Sequence, residues 1–139
     1  MNTKICTDID QSKKLIKLEV DINNVDMTYV SMKDYGENTY HLTVGKTDVD
    51  WAKDELGNLN WNDVYEKYIP AWSLSALLGL MPTDDKKDEY YVVAESHSDY
   101  HTVSYRNCWD GCIHSEYSEE SLLDAAFEMV VWLKENNKI

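Results

Sequence analysis

The chain is poor in the cations that proteins use to bind anionic polymers. Its 139 residues include 13 Lys and Arg against 26 Asp and Glu, which gives a net charge of −13, and Arg106 is the only arginine. Nucleic acids and anionic membranes are bound chiefly through Lys and Arg. The composition therefore argues against direct binding to nucleic acid or to a membrane.

Long apolar runs and the start typical of an exported protein are also missing. No run approaches the roughly 20 apolar residues that span a bilayer, and residues 1–8 lack the apolar stretch of a signal peptide. The three cysteines are an odd number, so reduced thiols are the default. These absences predict a cytoplasmic protein.

Glycine and proline are scarce as well. The five glycines and two prolines are scattered, and they form neither a phosphate-cradling loop nor a linker. A hydrophobic fraction of 43% is too high for a disordered chain, and the length suits one core. The sequence therefore predicts a single domain over residues 1–139.

Three segments have the apolar periodicity of helices. The first is 8–18, capped by Asp8 or Thr7, and the second is 72–81, with Ser73 as its cap, which ends before a proline. The third runs to Ile139 from a cap placed at Ser118. The apolar stripe of the third helix is Leu122, Ala126, Met129, Val130 and Leu133.

Two pairs of β-rich segments are each separated by turn residues, which predicts two hairpins. A further short strand is expected after the Asp110-Gly111 turn. Hairpins without long crossovers favour antiparallel pairing. The predicted fold class is α+β, with a mainly antiparallel sheet of four to five strands and three helices packed on it. The predicted strands are 26–33, 40–46, 89–96, 101–107 and 112–116.

The negative charge is concentrated in the middle of the chain. Residues 48–120 carry 16 acidic and 5 basic side chains, whereas 1–47 and 121–139 each balance to −1. Residues 47–60 are predicted to form an exposed loop, followed by a short helix over 61–68. Such a field attracts a basic protein surface and speeds encounter. Solubility alone is the plainer explanation.

Aromatic residues are abundant, with ten tyrosines and five tryptophans. Base stacking would need a basic groove that this chain lacks, so exposed aromatics favour a protein–protein patch. Trp72 and Trp132 lie in apolar helices and are expected in the core. The alternative is that all five tryptophans are partly buried. The partner-binding candidates, which lie in acidic or polar stretches, are Trp51, Trp61, Trp109, Asp48, Asp50, Asp54 and Glu55.

Cysteine and histidine are clustered late in the chain. Cys108, Cys112 and His114 form a weak candidate zinc set, but their spacing matches no zinc signature. A thiol paired with His101 or His114 could imitate a nucleophile and its base, yet no catalytic motif is present. We expect no enzyme activity, no metal and no cofactor.

Three segments together resemble small uncharacterised proteins encoded by phages and mobile elements of gut Bacteroides. They are 5–15 with Asp26-Met27 following, 69–78, and 124–129 with Trp132-Leu133. The resemblance implies an origin inside a host bacterial cell and carries no activity or site residue. It falls on the predicted helices and core, so 33–60 and 84–115 would be the regions free to vary.

These observations give three functional hypotheses. The first is a non-enzymatic acidic protein that engages a basic host protein, conceivably a defence component, by mimicry of nucleic acid. The second is a protein that sequesters a small molecule or nucleotide in an aromatic pocket containing Arg106. The third is a hydrolase built on the cysteine and histidine cluster.

Overall fold

The computed structural model describes residues 4–32, 35–36, 39–45, 67–82 and 89–139, and within them it has three helices and six strands. The helices are α1 Ile9–Lys17, α2 Leu74–Gly79 and α3 Leu122–Glu135. The strands are β1 Met27–Ser31, β2 Tyr40–Val44, β3 Tyr68–Ala71, β4 Tyr90–Ser96, β5 His101–Asn107 and β6 Ile113–Glu119. No helix in these ranges combines the length and apolarity that crossing a bilayer requires.

The strands form two antiparallel sheets of three strands each, in the orders β2-β1-β3 and β4-β5-β6. Both predicted hairpins are confirmed, because β1 pairs with β2 and β4 pairs with β5. The predicted α+β class is therefore confirmed. The expectation of one sheet with four to five strands is wrong, since β3 completes a first sheet on β1 and β6 completes a second on β5.

The strand that the sequence does not reveal is β3. Its four residues are too few to show an alternation, and Pro70 argues against a central strand because proline has no N–H to donate. Pro70 is tolerated because β3 lies at the edge of its sheet, opposite Thr28 of β1. The helix expected over 61–68 lies mostly outside the described residues, and its last residue, Tyr68, begins β3.

Both ends of α1 are capped by hydrogen bonds that satisfy backbone groups. The Asp8 carboxylate accepts the N–H of Gln11 at 2.8 Å, and the Gln11 side chain accepts the N–H of Asp8 at 3.0 Å, which forms a capping box. At the other end, the N–H of Val20 bonds to the carbonyl of Leu15 at 3.1 Å in a Schellman motif. Glu19, which directly precedes Val20, has a φ of 60°, a backbone conformation in which glycine is preferred. The predicted cap at Asp8 is thus confirmed.

The third helix begins later than predicted. Ser121 caps α3 by accepting the N–H of Asp124 at 3.4 Å. The predicted cap at Ser118 is wrong, because β6 extends through Glu119 and keeps Ser118 in the strand. The apolar stripe is largely right, although Leu122 is half-buried. The buried residues of α3 are Leu123, Ala125, Ala126, Phe127, Met129, Val130, Val131 and Leu133.

One apolar core joins α3 to both halves of the described chain. This helix contacts all three strands of the second sheet and also α2, while α1 contacts β3 of the first sheet. Trp72, Leu77, Val103 and Leu133 are fully buried members of the same cluster. Burying such side chains contributes about 1.5–3 kcal/mol each. The predicted core position of Trp72 is confirmed.

Buried polar bonds tie the segment before α1 to the start of α2. The N–H of Thr7 donates to the carbonyl of Trp72 at 2.9 Å, and the N–H of Trp72 donates to Thr7 Oγ1 at 3.1 Å. The Asp26 carboxylate accepts both the N–H of Ser73, at 2.9 Å, and its hydroxyl. The oxygen of Ser73 in turn accepts the N–H of Ala76 at 3.2 Å and caps α2.

Lys4 links the N-terminal ends of α1 and α3. Its Nζ lies 3.0 Å from Asp124 Oδ1 and 3.3 Å from Asp8 Oδ2. Gln11 Nε2 also donates to Asp124, at 2.9 Å. Burial alone would lower the pKa of Lys4, but the hydrogen bonds and charges of the two carboxylates outweigh it and raise that pKa. The cation therefore holds two helix ends together.

Candidate partner-binding surface

Trp109 is the predicted partner-binding residue that the structure describes, and its side chain is 84% exposed. Tryptophan is highly buried on average, so an indole left in solvent is a candidate anchor for a partner. The other candidates are outside the described residues. They are Trp51, Trp61, Asp48, Asp50, Asp54 and Glu55.

The backbone around Trp109 is fixed by the turn that joins β5 to β6. The N–H of Trp109 donates to Asn107 Oδ1 at 2.8 Å, and the N–H of Cys112 donates to Asp110 Oδ1 at 2.9 Å. Gly111 has a φ of 72° and donates its N–H to the carbonyl of Asn107 at 2.9 Å. A side chain at Gly111 would be strained by that φ. The turn thus presents Trp109 on a defined backbone.

A second exposed apolar side chain lies beside this turn. Ile113 opens β6 and is 51% exposed. Asp110 and Cys112, between it and Trp109, are exposed as well. Apolar side chains surrounded by charged ones are common where a protein meets a partner.

The carboxylates of β6 are not neutralised by the one arginine. Arg106 directs Nη2 to Glu95 Oε1 at 3.1 Å and donates Nε–H to Ser104 Oγ at 2.8 Å. It is therefore engaged on the β4 side of the sheet. Within the part of the chain that the structure describes, three exposed carboxylates at and just after β6 have no ion-pair partner. They are Glu116, Glu119 and Glu120.

The hypothesis of an aromatic pocket containing Arg106 stays a prediction. A cleft of about 280 Å³ lies where the C-terminal ends of the three helices converge. Its lining contains no aromatic side chain and does not include Arg106. The lining residues are Val20, Asp21, Gly79, Leu80, Lys134 and Ile139.

The cysteines and histidines are distributed over separate places. Cys108 and Cys112 flank the turn at one end of β5, whereas His101 lies at the other end and bonds to Ser96 at 3.0 Å. A strand of this length spans about 20 Å, so His101 is too far to act on either thiol. Asp110, by accepting a hydrogen bond from the thiol, raises the pKa of Cys112, which is the reverse of an activated nucleophile.

A metal centre is likewise not assembled from the predicted ligands. In the described ranges, no three side chains of His, Cys, Asp or Glu come close enough together to hold an ion. The weak candidate set of Cys108, Cys112 and His114 is therefore not gathered around one point. The ring of His114 has aromatic neighbours instead.

An aromatic cluster between the second sheet and α3 was not evident from the sequence. Tyr90 and Tyr105 stack with ring centroids 4.9 Å apart, and Trp132 lies 5.3 Å from Tyr105. The ring of His114 meets that of Trp132 edge-on, with ring centroids 5.7 Å apart. His114 lies in the part of β6 opposite Tyr105 and Arg106, where the strand register shifts. Such pairs contribute about 0.5–1.5 kcal/mol beyond their burial. The cluster therefore stabilises the base of the Trp109 turn.

Comparison with protein-family models, with curated proteins and with solved structures finds no match to this chain. No activity, ligand or functional residue can therefore be transferred to it from a relative. The function of this protein is therefore inferred from the geometry of this surface.

Proposed function

We propose that this protein is a non-enzymatic binding protein that uses its acidic surface to engage a basic host protein, as a product of a phage or mobile element. The observation that supports the proposal most is the exposed indole of Trp109 beside a strand whose carboxylates have no ion-pair partner among the described residues. Aromatic anchors supply most of the affinity at protein interfaces, and charge speeds encounter. A surface that served solubility alone would have no need of an exposed tryptophan.

Mimicry of nucleic acid is the form of this interaction that the charge favours. The carboxylates of Glu116, Glu119 and Glu120 lie along one edge of a sheet. A partner that binds nucleic acid would contact these anionic groups in place of phosphates. The partner's basic side chains would then be neutralised by the carboxylates. Trp109 would provide the apolar contact that distinguishes the partner from other basic proteins.

The test is affinity capture from host lysate followed by measurements with the purified partner. We expect a basic protein that is retained at low salt and released at high salt, because exposed charges are screened. Trp109→Ala should weaken binding by about 2 kcal/mol, or about 30-fold. Tyr35→Ala is a matched control, since Tyr35 is 78% exposed beyond the end of β1.

Two outcomes would refute the proposal. One is a captured partner whose affinity is unchanged by Trp109→Ala and by replacement of the three glutamates with glutamine. The other is that no captured protein binds the wild type more tightly than it binds these variants. The mimicry form requires, in addition, that the protein compete with DNA or RNA for the purified partner.

A further inference from the structure

β6 forms one edge of the second sheet, and its backbone orientation follows from two hydrogen bonds of β5. The N–H of Asn107 bonds to the carbonyl of Cys112 at 3.0 Å, towards β6. The N–H of Cys108 bonds to the carbonyl of Glu89 at 2.8 Å, towards β4. Since successive residues of a strand direct their backbone groups to opposite sides, the odd-numbered residues of β5 face β6.

The register then identifies the free backbone groups of β6. Ser104 and Thr102 of β5 are even-numbered and lie opposite Glu116 and Ser118. Glu116 and Ser118 therefore direct their N–H and C=O groups away from β5, to the outer side of the sheet. Among the residues that the structure describes, no strand pairs with that side. Unpaired edge groups are a template for another strand.

The opposite edge of the same sheet, formed by β4, differs in that one of its outward N–H groups is already bonded. By the same alternation, Val92 of β4 directs its N–H outward, and this group donates to the carbonyl of Pro82 at 3.1 Å. One outward donor of β4 is thus satisfied within the chain. Among the described residues, β6 is therefore the more open edge of this sheet.

The charge of β6 decides what kind of strand fits this edge. A second copy of the chain would bring Glu116 and Glu119 against carboxylates of equal sign, which is unfavourable. A strand with lysine or arginine side chains would instead neutralise them. An incoming strand that runs along β6 past Ile113 also reaches the turn that carries Trp109.

We infer that an extended, lysine- or arginine-rich segment of a protein partner adds to the free edge of β6 as a fourth strand. The inference rests on the proposed function and specifies how the acidic surface is used. Backbone pairing at Glu116 and Ser118 supplies register, the glutamates select basic side chains, and Trp109 anchors the end of the segment.

The experiment uses a short fluorescein-labelled peptide of alternating Lys and Val as the probe. A second peptide has the same sequence with every backbone amide N-methylated, so it keeps the charge but has no backbone N–H to donate on either side. We expect the parent peptide to bind the full-length protein and the methylated peptide to bind at least about tenfold more weakly. Amide exchange at Glu116 and Ser118 should slow when the parent peptide is bound.

Two proline variants provide matched changes in the protein. Ser118→Pro removes an outward N–H without removing a bond to β5, and it should weaken the parent peptide about tenfold. Ala94→Pro makes the same change on the outer side of β4 and should leave affinity unchanged. Should Ser118→Pro fail to fold, the methylated peptide with wild-type protein still decides the question.

The outcomes separate this inference from the proposed function. Equal binding of the two peptides would overturn strand addition and leave an acidic surface that acts by charge alone. Absence of binding by either peptide would also overturn it, and the proposed function would then depend on the captured partner and Trp109→Ala. Weaker binding of the methylated peptide together with slowed exchange supports it.

Discussion

Replacement of Leu133 by alanine should be among the most destabilising conservative changes in this protein. Leu133 is fully buried near the end of α3, in the same cluster as Trp72 and Val103. Leu→Ala changes at such sites cost about 3–5 kcal/mol, through lost transfer energy and the cavity left behind. With an unfolding entropy of about 0.3 kcal/mol/K for 139 residues, the melting temperature should fall by about 10 °C or more.

The matched control is Leu122→Ala on the same helix. Leu122 belongs to the apolar stripe read from the sequence, but its side chain is only half-buried, so we expect a loss of about 1–2 kcal/mol. Thermal and urea unfolding followed by circular dichroism measure both variants, and unchanged m-values would validate the comparison. Equal losses at the two positions, or a shift below about 2 °C for Leu133→Ala, would refute the assignment of the buried face of α3. Leu133→Asp should leave no soluble folded protein, because it buries an unpaired charge.

Three further predictions concern charges and backbone. Because the folded-state pKa of Lys4 is raised above its unfolded value, its stabilisation should be complete below about pH 10 and lost as pH rises through the folded value; Lys4→Met should remove that alkaline loss in urea titrations. Glu19→Gly should stabilise the protein by about 0.5–1 kcal/mol, because glycine adopts a φ of 60° without strain, and a destabilised variant would contradict this. Asp110→Asn should lower the pKa of Cys112 and speed its alkylation by iodoacetamide near neutral pH, as measured by mass spectrometry; an unchanged rate would show that the carboxylate does not control the thiol.

Local signals in the sequence were enough for much of the fold. The cap at Asp8, the helix after Ser73 and both hairpins follow from residue types within a few positions of one another. The prediction of a helix cap at Ser118 was wrong because a serine before acidic residues is favourable at a helix start and is also tolerated in an edge strand. Which of the two applies depends on pairing with β5, which is a tertiary contact.

The division into two sheets could not be predicted for a related reason. β3 is a short segment with a proline, and its identity as a strand depends on its partner β1, about 40 residues earlier in the chain. The aromatic cluster is similar, since Tyr90, His114 and Trp132 come from three distant elements. At the candidate surface, the exposure of Trp109 agrees with its polar neighbours in sequence. The outward direction of the N–H and C=O groups of Glu116 could be deduced only from the pairing register of β5 and β6.

The position of α3 in the chain has a consequence for synthesis on the ribosome. This helix is made after the other described elements, yet it covers the second sheet, contacts α2 and supplies Asp124 to Lys4 beside α1. Until residues 122–135 emerge, Val103 and Trp72 lack the helix that completes their cluster. Until then the nascent chain exposes apolar surface, and its native state forms through contacts between residues that are distant in the chain.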